Sequence, residues 1–216
     1  MPQRTVLVTG GAGGLGRSVV RALVADGWQV VVPVESDSDL DATDGVSTVV
    51  ADLTDPDDVA RAVRSAPDLG AVVNLVGGFA ADQPVKDTPI AEFEKLFRLN
   101  LRPTYLVTQA ALPHLHGGSI VCVGSSAALN PFAGGSGYAA SKAAVIAFAK
   151  AVAEEGRAEK IRCNAIVPTQ IDTPANRAAM PESEHHKLVP PERIAAVVAF
   201  LCSDDSAAIT GQAIGV

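Results

Sequence analysis

The chain has 216 residues, 48% hydrophobic and 19% charged, with a net charge of -7 at neutral pH. Its length suits one domain with a well-buried core, and its apolar content excludes a disordered chain. An acidic surface gains no counterion release and only 4% of residues are aromatic, so neither nucleic acid nor an anionic membrane is expected as a partner.

The first segment, "RTVLV" (4–8), is β-branched and reads as a buried strand, followed by the glycine-rich "TGGAGGLG" and a helical stretch at 14–26. No long apolar leader precedes it and no run approaches the roughly 20 apolar residues of a membrane helix, so a soluble cytoplasmic protein is expected. Strands follow at 29–34 and 47–51. "LTDPDD" then supplies a cap at Thr54 or Asp55 and a first-turn proline, Pro56, for a helix at 56–66. A strand at 71–76 leads to a long helix at 89–115, with Thr88 and Pro89 repeating the same device. Strands at 119–123 and 161–167 flank a helix at 137–156, and a last helix at 191–203 precedes "ITGQAIGV", a possible edge strand. The strands read as buried on both faces. Repeated βα units of this kind predict a single α/β domain, a doubly wound parallel sheet between two helical layers.

The glycine turn places Gly10, Gly14, Leu15 and Gly16 between the first strand and helix, where backbone amides can approach a pyrophosphate. The same glycines could serve only as a tight turn. After the second strand the sequence is "ESDSDLDA", without a basic residue to receive a 2'-phosphate. Glu35 is the candidate ligand for the ribose hydroxyls, with Ser36 as a neutral neighbour, which favours NAD(H) and leaves NADP(H) possible. A solvated acidic loop is the alternative reading. Cys122, Cys163 and Cys202 are isolated in apolar runs, which is neither a disulfide framework nor a metal-ligand spacing, so no metal is expected.

"GYAASKAAV" (137–145) puts Tyr138 and Lys142 four residues apart, on one helix face. Together "TGGAGGLG" (9–16), "ADL" (51–53), "NLVGG" (74–78), Asn100, Ser125 in "VGSSAA" and "YAASK" (138–142) occur in the order of a classical short-chain dehydrogenase/reductase, which the whole chain resembles. The resemblance implies a Rossmann-type three-layer αβα fold and a hydride-transferring oxidoreductase. It implies that Asp52 and Leu53 hold adenine, that Asn74 and Gly77 lie beside the adenosine ribose, and that Ile171 and Thr173 touch the nicotinamide carboxamide. Tyr138 is then the general acid or base, and Lys142 lowers the phenol pKa and binds the nicotinamide ribose. Ser125, thirteen residues before the tyrosine, polarises the substrate oxygen, with Ser126 as the alternative. Asn100 supports a water that links Lys142 to solvent. Family members assemble through the helices that carry Asn100 and Tyr138, so a homodimer or homotetramer is expected.

The stretch 168–191, with five prolines, follows a strand end and reads as an irregular lid over the site. In it His185, His186, Arg177 and Lys187 either orient a polar substrate or form a solvated face. "VPTQIDTPANRAAMP" and "VGGFAA" also resemble dihydropteridine reductases, making reduction of a quinonoid pterin an alternative to that of a carbonyl. A dinucleotide-sensing protein without turnover is a third reading. Ser125 favours a small-molecule carbonyl or secondary alcohol as substrate.

Overall fold

The β-branched runs form strands because their side chains pack well on a pleated surface covered on both sides. In the computed structural model, which describes residues 4–36, 45–81 and 83–216, seven strands form one parallel sheet in the order β3-β2-β1-β4-β5-β6-β7. They are β1 (Thr5–Thr9), β2 (Gln29–Val34), β3 (Val46–Val50), β4 (Leu69–Asn74), β5 (Ser119–Val123), β6 (Arg162–Val167) and β7 (Ala213–Gly215). Helices α1 (Gly16–Ala25) and α7 (Pro191–Cys202) pack on one face around Val6, Val8, Val19 and Ile194. The other face carries α2 (Pro56–Arg64), α4 (Arg102–Ala111) and α5 (Ser136–Glu155) over Leu7, Val72, Ile120 and Val145. This is the Rossmann-type αβα sandwich that the alternation of elements predicts.

Three expectations need correction. First, the segment expected as one helix at 89–115 is two, α3 (Ile90–Asn100) and α4, joined at Leu101 and followed by a 3-10 turn at Leu112–His114. Pro103 accounts for the break: lacking an N–H, it fits the first turn of a new helix better than the middle of a continuous one. Second, β3 is an edge strand with much of its side-chain surface exposed, rather than buried on both faces. Third, Thr88 does not cap α3; its hydroxyl donates to the carbonyls of Gln83 and Pro84 and closes the preceding turn.

The cap before α2 forms as expected at Asp55, which accepts from the amides of Asp57 and Asp58 at 2.9 and 3.1 Å with Pro56 in the first turn. All three cysteines are free and buried, and burial pushes the Cys202 thiol up to about 12, the property of a structural rather than a reactive thiol. No helix among the described residues is long and apolar enough to cross a membrane. Replacing Asp55 with Ala should cost about 1 kcal/mol of stability through the lost cap. A urea midpoint indistinguishable from wild type would show that the cap contributes nothing.

Candidate active site

From β1 the chain winds outward through β2 and β3, and from β4 outward in the other direction, so the carboxyl ends of β1 and β4 border a crevice. The glycine turn lies there. Gly10 has φ 68°, a left-handed conformation that disfavours a side chain. A Cβ at Gly16 would collide with the Gly10 carbonyl oxygen, so glycine is what lets α1 start against the turn. Helix α1 has no side-chain cap at Leu15 and no acidic residue in its first turn, leaving its N-terminal amides suited to an anion. A Cβ on Gly14 would lie 2.7 Å from Thr173 Cγ2, so the lid rests directly on the turn. This bare backbone cradle fits a dinucleotide pyrophosphate.

Glu35 is exposed immediately after the carboxyl end of β2; residues 37–44 of the acidic tract lie outside the described residues. Asp52 is exposed after β3, and its carboxylate accepts from the Thr54 hydroxyl at 2.7 Å and the Thr54 amide at 2.8 Å. Those bonds hold its pKa below the usual value. Leu53 turns into the core. Asn74, at the end of β4, is buried, and its amide donates to Thr108 Oγ1 at 3.2 Å and toward Cys122 Sγ, tying β4 to α4 and β5. The short side chain of an asparagine in a strand can face only one way, and here it faces the core.

Around Gly77 the chain draws three elements together. Asn100, 1% exposed at the end of α3, accepts from the Gly78 amide at 2.8 Å and donates to Ser141 Oγ at 3.0 Å. Ser141 in turn donates to the Tyr138 carbonyl at 2.8 Å. A Cβ on Gly77 would sit 2.6 Å from Asn100 Oδ1 and 3.0 Å from Lys142 Nζ, so only glycine fits at this junction. Sequence spacing assigns Ser141 no role between Tyr138 and Lys142. Its polar atom on the fully buried face of α5 was the missed signal.

Ser125 is buried with an extended backbone, and its hydroxyl accepts from the Ala127 amide at 3.2 Å. The Ser125 hydroxyl lies beside the Tyr138 phenol and works against the effect of its burial, whereas Ser126 begins the 3-10 turn at Ser126–Ala128. The pairing therefore joins Tyr138 to Ser125. The phenol pKa is raised, not lowered: burial dominates and the Ser125 hydroxyl offsets only part of it. Lys142, expected to lower it, donates instead to the Val123 carbonyl at 3.0 Å, so its ammonium is aimed at the strand end. Burial pushes the Lys142 ammonium down to about 8, partly opposed by Cys122.

The stretch 168–191 is more regular than expected. It contains α6 (Pro174–Ala179), capped by Thr173 on the Asn176 amide, and a 3-10 helix at Glu182–Lys187. Ile171 and Val189 form an isolated parallel bridge at its base, with the Val189 amide bonded to the Gln170 carbonyl and the Asp172 amide to the Val189 carbonyl. Arg177 is bound by Asp172, Lys187 pairs with Glu184, and His185 Nε2 lies 3.1 Å from the Arg177 carbonyl. These charged groups join lid residues to one another.

The geometry agrees with the comparisons to known proteins. Residues 4–184 match the family model described as short chain dehydrogenase. The 7alpha-hydroxysteroid dehydrogenase of Bacteroides fragilis is 32% identical, with 98% of this chain and 92% of that protein aligned. Among solved structures, a short chain dehydrogenase/reductase family protein superposes with a TM-score of 0.91 at 33% identity, covering 99% of this chain and 95% of the other. A blue fluorescent protein from a metagenomic library, in complex with NADPH, gives 0.87 at 29% identity, covering 99% and 96%. The chain belongs to the short-chain dehydrogenase/reductase family. It is thus an oxidoreductase of the kind that uses a nicotinamide dinucleotide and acts on small molecules.

The displaced Lys142 pKa has a measurable consequence. The unfolded chain keeps this proton up to its ordinary pKa near 10.5, while the folded protein loses it near 8. Stability should therefore rise with pH between those values, by about 1–2 kcal/mol from pH 7.5 to 9.5. Urea unfolding at the two pH values should show the gain in wild type and a smaller one in Lys142→Met. Equal gains in both proteins would assign the effect elsewhere.

Proposed function

We propose that this protein transfers hydride between a nicotinamide dinucleotide and the carbonyl or secondary alcohol of a small molecule, with Tyr138 carrying the proton. The observation that carries this reading is the Ser125 hydroxyl set beside the Tyr138 phenol, just past the carboxyl end of β5. The dinucleotide, when bound, supplies or receives the hydride.

The protein's own residues supply position, polarisation and the proton. A carbonyl oxygen placed between the two hydroxyls takes a hydrogen bond from Ser125 and a proton from Tyr138. The phenol is protonated at neutral pH, as its ordinary pKa of about 10 requires, and so has the proton to give in reduction. Lys142, one helical turn from Tyr138 and bonded to the Val123 carbonyl, is the residue that would hold the nicotinamide ribose. Asn100 fixes the loop at Gly78 and the helix at Ser141, which holds Tyr138 and Lys142 in register with the strand ends. At the other end of the crevice, the cradle from Gly10 to Gly16 would hold the pyrophosphate, with the exposed Asp52 toward the adenine and Thr173 against Gly14.

Replacing Tyr138 with Phe should lower kcat for ketone reduction by at least about 10²-fold, with dinucleotide affinity within about three-fold of wild type as judged against a factor of ten per 1.4 kcal/mol. Retained turnover would remove Tyr138 from proton transfer. Ser125→Ala should lower kcat as well, because the substrate oxygen then loses its second hydrogen bond.

We also propose NAD(H) as the preferred cofactor, because Glu35 stands exposed at the end of β2 where a 2'-phosphate would meet its negative charge. Fluorescence titration should give a lower Kd for NADH than for NADPH, with Glu35→Gln narrowing the gap. Tighter NADPH binding to the wild type would reverse the assignment.

A further inference from the structure

Aromatic side chains are scarce in this protein, which has six phenylalanines, yet two of them stand exposed beside the proposed proton donor. Phe79, in the loop after β4, is 65% exposed; Phe132, just before α5, is 47% exposed. The Phe79 ring meets the Tyr138 ring edge to face, with centroids 4.9 Å apart and planes at 76°. It lies nearly parallel to Phe132, at 6.4 Å and 29°. Phe132 is seated on the backbone at Gly135, where a Cβ would come within 2.7 Å of its ring. The exposed Leu129 comes from the same segment. The stretches 69–81 and 124–141 that build this rim contain no charged residue.

We propose that this rim selects a neutral substrate whose reacting carbonyl is attached to a flat aromatic ring, with Phe79 and Phe132 as the specificity-determining residues. The inference rests on the carbonyl-reduction reading above and adds a substrate class to it. Single exposed apolar residues are ordinary, but a cluster bordering a reacting group marks a binding surface. A ligand oxygen at the Tyr138 hydroxyl brings the attached group against the Phe79 ring, because Phe79 and Tyr138 are already in contact. An aromatic ring extends the stack of Phe79 on Phe132 and gains the ring-quadrupole attraction as well as buried area; a saturated group gains area alone. Among the described residues of these two stretches no side chain is a cation, Lys142 behind them is buried and committed to the Val123 carbonyl, and the Arg177 and Lys187 side chains are paired with acidic neighbours.

The test compares 2-acetylnaphthalene with its saturated counterpart 2-acetyldecalin, measuring Kd by saturation-transfer NMR, with and without NADP+ and NAD+. Oxidised dinucleotide cannot reduce either ketone, so binding is read without turnover. We expect 2-acetylnaphthalene to bind about three- to ten-fold more tightly, and Phe79→Ala or Phe132→Ala to remove most of that difference, in line with the strength of aromatic pairs. Dinucleotide affinity should be unchanged in both variants. Equal or tighter binding of 2-acetyldecalin, or an aromatic preference that survives both substitutions, would overturn the proposal. Reduction of 2-acetylnaphthalene with NADH or NADPH is measured in parallel. Aromatic-selective binding without reduction of any ketone would count against the hydride-transfer reading while leaving the selectivity standing.

Discussion

The amide of Asn100 connects the end of α3, the loop after β4 and the buried face of α5 through two hydrogen bonds, to the Gly78 amide and the Ser141 hydroxyl. Because it is almost wholly buried, removing either bond would leave a polar atom without water or partner, a cost of about 1–3 kcal/mol. The break between α3 and α4 lets the side chain sit at a helix end, within reach of a loop amide as well as a neighbouring helix. Gly77 completes the arrangement by leaving room for both Asn100 and Lys142. The orientation of α5, and so of Tyr138, depends on this junction.

The site places a buried ammonium close to a half-buried phenol, and neither environment favours the charged form. Such an arrangement costs stability in the folded protein and is supported by packing elsewhere, as strained or desolvated functional groups generally are. The sheet supplies that support: Leu7, Val8, Ile120 and Ile166 are fully buried between the helical layers. Arg162 adds a polar anchor at the opposite end of β6, donating to the Leu201 and Ser203 carbonyls and the Ser206 hydroxyl. Strand β6 is therefore fixed at its start by α7, while its other end opens into the lid.

Much of the fold was legible because the β-branched runs and the alanine-rich stretches differ in period and composition, and each strand lies within a few residues of its expected span. The helix break was missed because apolar periodicity continues through Leu101 and Leu106; only Pro103 signalled it, and a proline is equally compatible with a kink. At the site, the glycine cradle, Asn100, Ser125, Tyr138 and Lys142 are brought to the crevice from distant parts of the chain. Side-chain direction was not legible. Spacing alone could not tell that Asn74 faces the core, that Lys142 reaches back to Val123, or that burial dominates at Tyr138 over the effect of the Ser125 hydroxyl. These depend on rotamers and desolvation, which arise only once the layers are packed.

The bridge between Ile171 and Val189 gives the lid a pinched neck. Both strands of the neck are pinned by backbone bonds, so the entropy of closing the loop is met at its base rather than along its length. In a loop closed in this way, doubling the enclosed length adds only about 0.6 kcal/mol. The segment between the pinned ends can then be lengthened as a cassette, with the sheet, the glycine turn and Tyr138 left in place. Insertions there leave the β6 end and the start of α7 where they are.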